Sequence, residues 1–280
     1  MILDYINWNI NPEIFRIGSF AVRWYGLFFA FAFYAGYMII KKIYKIEDIT
    51  EEWLDKLTMY MVIGTVLGAR VGHCLFYEPE YYLKYPIEIL KIWKGGLASH
   101  GAAIGIFTAL YLYAKKIKKP YLWILDRVAI VVALAGFFIR MGNLMNSEIY
   151  GVATNVPWAF IFVENIMAWK NNGAEAVYSQ PSHPTQIYEA LSYLVIFVFM
   201  QRIYFKKKMK LVGGEIFGIF MVTLFSMRFL IEFIKEDQVG FEQGMSLNMG
   251  QILSIPLILA GLIIFIWSEK VKREKLVEKK

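Results

Sequence analysis

Residues 28–40 read FFAFAFYAGYMII, thirteen positions without one charge, and residues 256–267 read PLILAGLIIFIW, twelve more. Each ends an apolar stretch of the length that crosses a bilayer, about 20 residues. Working outward, seven such segments follow one another: 17–40, 57–77, 95–114, 121–142, 184–204, 213–233 and 247–268. The whole 280-residue chain agrees with them: 58% of its residues are hydrophobic and 19% charged, with a mean hydropathy of +0.46. Soluble domains carry roughly 25% charged residues. The fold expected is therefore an all-α integral membrane protein with seven transmembrane helices. One longer connection, 143–183, contains Asn171, Asn172, Gly173 and Pro181 and reads as a small extracytoplasmic head. The 78–94 connection reads as an extracytoplasmic arm, so the chain is one transmembrane domain with these two insertions.

The net charge of +7 raises the question of nucleic acid. The placement of the cations answers it. Twenty lie in 41–56, 115–127, 202–210 and the 270–280 tail, which alternate to one side. Six lie on the other: Arg16, Lys84, Lys91, Lys94, Lys170 and Lys235. Cytoplasmic loops are the ones enriched in Lys and Arg, so the N-terminus is expected outside and the C-terminus inside. The basic residues are then topology signals and contacts for anionic lipid rather than a nucleic-acid surface.

Four cations remain inside the apolar segments: Arg23, Arg70, Arg140 and Arg228. With helices alternating in direction, they fall at one depth, in the outer third of the membrane. Tyr25, His73, Ser99, His100, Asn143, Gln186, Glu189, Glu232, Asn248 and Gln251 share that depth. Buried charge in a membrane is costly and marks function or a partner. Several of these residues have plain structural readings. Arg228 and Glu232 are four apart on one helical face and can neutralise each other. Glu189 can partner Arg70, and His73 and Cys74 sit beside an aromatic run that suits packing. Even so, four arginines against two acids leave a positive surplus in an outward-facing cavity, and the plentiful anion there is a phospholipid headgroup.

Gly64, Gly68 and Gly72, and Gly101 and Gly105, recur every four residues, the spacing that lets membrane helices touch backbone to backbone. A lone Cys74 excludes an internal disulfide. His73, His100 and His183 lack the spacing of a metal site, so no metal and no cofactor are expected.

The stretch Ile139–Gly151, IRMGNLMNSEIYG, resembles the signature G-R-x-G-N-F-x-N-x-E-x-x-G of the bacterial prolipoprotein diacylglyceryl transferases, departing at Ile139 and Leu144. Similar pieces follow in family order along nearly the whole chain: RWYGL (23–27), GARVGHCLFY (68–77), GGLASHGAAIG (95–105), SHPTQIYE (182–189), RFLIEF (228–233) and MGQILSIP (249–256). Where the family usually has His-Gly-Gly, this chain has His100, Gly101 and Ala102.

The resemblance implies seven membrane helices with the N-terminus out, in a bacterial inner membrane, with the active site toward the outer leaflet. It implies transfer of the sn-1,2-diacylglyceryl group from phosphatidylglycerol to the lipobox cysteine of a preprolipoprotein. A thioether forms and glycerol 1-phosphate leaves. It implies Arg140 as the residue that binds phosphatidylglycerol, Arg228 as a second essential arginine, and Tyr25 and Glu232 as active-site positions. Asn143 and Asn146 follow Arg140 at three-residue steps and are candidate amide donors to the lipid. Arg70 and Gln251, at the same depth, complete the candidate lipid-binding set. The reacting thiol needs a base or a positive field. His100, a group that titrates near neutrality, is the candidate base; the arginines are the alternative, and both stay open. A transporter of anions or lipid headgroups is the competing reading. It would place polar groups at the midplane, with internal repeats.

Overall fold

The computed structural model describes residues 5–18, 20–92, 95–236 and 244–277. Positions 93 and 94 of the expected arm, and the tail cations Lys279 and Lys280, lie outside them. Nine α-helices are described: α1 Trp24–Ile46, α2 Glu51–Phe76, α3 Pro79–Lys84, α4 Ser99–Ile117, α5 Tyr121–Met145, α6 Ile166–Asn172, α7 Thr185–Lys207, α8 Glu215–Ile231 and α9 Met249–Val277. Among the described residues six spans are long and apolar enough to cross a membrane: α1, α2, α5, α7, α8 with the turn that follows it, and α9. All seven expected segments contain a helix. The third, α4, falls outside the six because Ser99 and His100 at one end and Lys115 and Lys116 at the other dilute its apolar middle.

Four short strands qualify the all-α expectation. β1 (Ile6–Trp8) pairs in parallel with β4 (Phe160–Phe162), and β2 (Glu13–Ile17) pairs antiparallel with β3 (Phe20–Arg23). The β2–β3 hairpin runs on to Arg23 and so takes up the start of the 17–40 segment that the apolar count assigns to the first membrane helix. A run of apolar residues cannot by itself distinguish a strand from a helix end. Arg23 therefore precedes α1 instead of lying within it, half exposed, with its guanidinium 3.5 Å from Glu13. Arg127 moves the other way. Counted as a loop cation, it lies inside α5, buried and paired with Glu47 at 2.7 Å.

The chain divides into two compact units, 39–127 and 1–38 with 128–280, and the division falls within α1 and α5. In the first, α2 and α4 touch through glycine. A Cβ on Gly68 would stand 2.5 Å from the Gly101 carbonyl oxygen and 2.8 Å from the Gly105 Cα. Arg70 of α2 fastens the arm to this pair. Its Nε donates to the Ile89 carbonyl at 2.9 Å, Nη1 to Gly95 at 2.6 Å and Nη2 to Glu88 at 2.5 Å. Gly96 turns at φ +72°, and a Cβ there would strike His73 and Arg70. At the other end of α4, the Tyr113 hydroxyl shares a 2.7 Å hydrogen bond with that of Tyr44 on α1.

The second unit holds the head and the remaining helices. Leu144, one of the two departures from the family signature, is buried with Phe160 and Phe162 in the head's apolar core, against Trp8, Met141, Tyr150 and Ile187. The Trp8 indole N–H donates to the Leu144 carbonyl at 2.8 Å, tying the N-terminal strand to the end of α5. α8 and α9 meet at Gly218 and Gly261, where a Cβ on Gly261 would lie 2.6 Å from that of Met221.

Candidate active site

The signature begins as helix and ends as a strained loop. Arg140 and Asn143 sit one turn apart on α5, so the Arg140 Nη1 donates to the Asn143 Oδ1 at 3.1 Å. Beyond Met145 the chain leaves helical geometry. Ser147 and Ile149 both take positive φ, +54° and +61°, conformations that cost roughly 1–3 kcal/mol each unless their surroundings impose them. The surroundings here are specific. The Glu148 N–H donates to the Asn143 carbonyl at 3.1 Å. The Gln186 amide donates to the Glu148 carbonyl at 2.7 Å, and the Thr185 hydroxyl to the Ile149 carbonyl at 3.0 Å. The strain aims the Glu148 carboxylate back at the helix, where Oε1 accepts from Asn143 Nδ2 at 2.8 Å and Asn146 Nδ2 at 3.2 Å. The two asparagines are thus oriented by one acid.

From Arg140 a chain of ion pairs runs across three more elements. Its Nε lies 2.7 Å from Oε2 of Glu189 on α7, a residue with no solvent exposure. The other Glu189 oxygen is 3.8 Å from the Lys235 ammonium, which lies 3.0 Å from Oε1 of Glu232. That same Glu232 oxygen is 3.6 Å from Arg228 Nε. Glu232 begins the 3₁₀ turn Glu232–Ile234 after α8, and its second oxygen accepts from Asn248 Nδ2 at 3.2 Å. The order is Glu148, Asn143, Arg140, Glu189, Lys235, Glu232, Arg228, with three cations against three carboxylates. Such a ladder removes much of the burial cost of its members. Arg228 is the open end, with its side chain 37% exposed, against 13% for Arg140 and 3% for Lys235.

Two expected residues join this group by packing or capping. The Tyr25 ring, in the first turn of α1, lies on Gly142; a Cβ there would come within 2.7 Å of it. Gln251 forms a reciprocal cap with Asn248 at the start of α9. The Asn248 N–H donates to the Gln251 side chain at 3.0 Å and the Gln251 N–H to the Asn248 side chain at 2.9 Å. This is the capping-box arrangement. Gln251 therefore reaches the ladder through Asn248 and Glu232. Gly250 is required beside it, because a Cβ would meet the Glu232 carboxylate at 2.6 Å.

The other two expected residues belong to the 39–127 unit. His100 is the second residue of α4 and is exposed. Arg70 is 2% exposed. It spends its donors on the arm's carbonyls and not on Glu189, whose partners are Arg140 and Lys235.

Lys235, Glu148 and Glu189 are the residues whose roles the sequence reading missed. By charge count alone Lys235 reads as a loop cation. Its three-residue spacing from Glu232 was the available signal. With Lys235 and Glu148 included, the ladder has no positive surplus. Among the described residues no group of three His, Cys, Asp or Glu side chains gathers in a way that could hold a metal ion.

The family model described as prolipoprotein diacylglyceryl transferase matches residues 12–267. Curated relatives carry the name phosphatidylglycerol–prolipoprotein diacylglyceryl transferase, three of them as follows. The one from Tolumonas auensis is 45% identical over 266 residues, covering 95% of this chain and 98% of its own. That from Chloroherpeton thalassium is 42% identical over 268 residues, 95% and 96%. That from Bacteroides fragilis is 40% identical over 282 aligned residues, 96% and 98%.

Proposed function

This chain belongs to the prolipoprotein diacylglyceryl transferase family, and on that premise we propose that it transfers the sn-1,2-diacylglyceryl group of phosphatidylglycerol to the lipobox cysteine of preprolipoproteins. The bond broken joins the diacylglyceryl carbon to its phosphate oxygen. The bond formed joins that carbon to the cysteine sulfur, and glycerol 1-phosphate leaves with the electron pair. The observation that carries the reading is the arginine pair of the ladder. Arg140 is locked by Glu189 and Asn143, and Arg228 is left open at the other end.

Negative charge grows on the departing phosphate, and preorganised donors aimed at developing charge are the main catalytic device for such a step. Arg228, the less enclosed guanidinium, takes the phosphate. Arg140 and the Asn143–Asn146 amides hold the glycerol phosphate against it, and Tyr25 borders the same space. Glu232 orients Arg228, and Gln251 supports Glu232 through Asn248. The thiol proton goes to His100 or to solvent under the field of the arginines. A pH–rate profile of His100→Gln separates these: an unchanged acidic limb removes His100 from the base role.

The protein is proposed to cross the bacterial inner membrane seven times, α4 included, with the N-terminus out and the ladder toward the outer leaflet. The excess of cations on the opposite connections supports this, with or without Arg127. The test is direct. Purified protein is incubated with phosphatidylglycerol and a lipobox peptide, and the peptide cysteine is examined by mass spectrometry. A diacylglyceryl adduct is expected, and it should fall by about 10²–10³-fold in Arg140→Ala, the cost of losing one such donor. No adduct from folded, lipid-loaded protein would reject transfer and put lipid binding or transport in its place.

A further inference from the structure

The ladder contains one cation that no substrate contact requires. Lys235 is 3% exposed in its side chain and lies between two carboxylates from different elements, Glu232 at 3.0 Å and Glu189 at 3.8 Å. Its backbone is fixed from a third direction: residue 235 bridges Gly151, and the Val152 N–H donates to the Ile234 carbonyl at 3.0 Å. The same short segment, 148–152, carries Glu148, the acid that orients Asn143 and Asn146. Lys235 thus stands where the loop after α5, the start of α7 and the end of α8 meet.

We propose that Lys235 is a positioning residue for the transfer reaction: its ammonium is the shared counter-ion that holds Glu189 and Glu232 at the spacing that sets Arg140 and Arg228. The geometry gives the reason. Both carboxylates lie within reach of one ammonium, so their facing oxygens are close enough to repel strongly in a medium with little water. Glu189 faces Arg140, Tyr193 and Lys235; Glu232 faces Arg228, Lys235 and Asn248. Among the described residues Lys235 is ion-paired with both carboxylates; without it Glu189 keeps its ion pair with Arg140 and Glu232 its ion pair with Arg228, and no ion pair joins the two acids. Glu189 would draw toward Arg140, and Glu232 toward Arg228. The two guanidiniums, on α5 and α8, would then be free to shift apart. A displacement of about 1 Å at a reacting group can cost 10²-fold in rate. The lysine touches neither lipid nor thiol in this account. It acts through the two acids.

The proposal rests on the transferase reading, and the experiment separates the two. The full chain is placed in nanodiscs of phosphatidylcholine with phosphatidylglycerol, and wild type, Lys235→Met and Lys235→Arg are compared. Lys235→Met keeps the length of the side chain and removes its charge. It should melt close to wild type, lose about 100-fold in kcat, and change its KM for lipid by only a few-fold. Lys235→Arg should recover most of that loss, because it restores the shared cation. A folded Lys235→Met that turns over within about threefold of wild type, a loss confined to KM, or a folded Lys235→Arg as slow as the Met variant would each overturn the proposal. Should Lys235→Met not fold, the Arg variant decides alone: a folded Lys235→Arg with about 100-fold lower kcat than wild type overturns the proposal. If the wild type itself forms no adduct, the transferase reading is what fails. Lys235 is then read from retained lipid, where Lys235→Met should lose the wild type's preference for phosphatidylglycerol over phosphatidylcholine and Lys235→Arg should keep it. Equal preference in all three would sink the positioning role too.

Discussion

The α2–α4 pair and the ladder joining α5, α7 and the α8 end both bring helices close together, by opposite means. Between α2 and α4 the approach is bare backbone, glycine against glycine, with no side chain to adjust. In the ladder the elements are held by long charged side chains, each shared with the next. The first arrangement tolerates no added atom. The second tolerates changes of shape but not of charge. One therefore fails by losing the fold, and the other by losing its geometry while the fold stays.

Gly68→Leu attacks the first and should have the largest effect. Its new side chain has no room beside Gly101 and Gly105, so α2 and α4 must separate. Overpacking of this kind costs typically 1–3 kcal/mol, and more where the obstruction is backbone. The thermal midpoint of the purified variant in detergent checks it; a wild-type midpoint would mean that the two helices are free to slide and that the comparison is wrong.

Glu148→Gln attacks the second. It keeps the shape and removes the charge that orients Asn143 and Asn146. A hydrogen bond to a charged group contributes about 1.5–3 kcal/mol, so transfer should slow by roughly 10- to 100-fold. The melting temperature should stay near that of wild type. Adduct formation and melting measured on one preparation decide it. An equal loss in both would place Glu148 with the glycines, as a part of the fold.

The smallest effect belongs to the head, at the ladder's edge. Burial pushes the His183 imidazole below its usual range. It faces the Tyr188 hydroxyl at 3.2 Å, and its carbonyl accepts from the Gly151 N–H at 2.8 Å. The unfolded chain takes up this proton first, near pH 6.5. The resulting stability is therefore complete above that pH and falls as the pH drops through the lower folded value. The acid-side loss should amount to no more than one proton's worth of slope, and His183→Gln should flatten it. Melting temperatures between pH 7.5 and 5 test this; an identical slope in the variant would show that the acid sensitivity does not arise at His183.

These differences track what could be read in advance. The glycines of α2 and α4 are visible as a four-residue repeat, because backbone contact between helices needs that period. Arg140, Asn143 and Asn146 are visible for the same reason, since their relation is set within one helix turn. Arg228 and Glu232, four apart, were expected to meet and do, at 3.6 Å. The partner of Glu189 was not legible. Depth alone offers it Arg70, but the fold gives Arg70 to the carbonyls of Glu88, Ile89 and Gly95 and pairs Glu189 with Arg140 and Lys235. Lys235 looked like a loop cation because charge count and segment length say nothing about what covers a residue just past a helix end. The second half of the β2–β3 hairpin reads as the start of the first helix because its residues are apolar enough for either.

The sequence by itself determined the apolar segments, the gathering of the cations in alternate connections, the glycine seam and the motifs that carry the family resemblance. Each depends on composition or on spacing of a few residues along one helix. The tertiary structure alone decided the order of the ladder, the burial of Lys235, the cap that makes Gln251 an indirect partner and the strained loop that aims Glu148. Those contacts join residues far apart in the chain. A charge in an apolar surrounding takes whichever opposite charge folding brings within reach, and no local pattern records that choice.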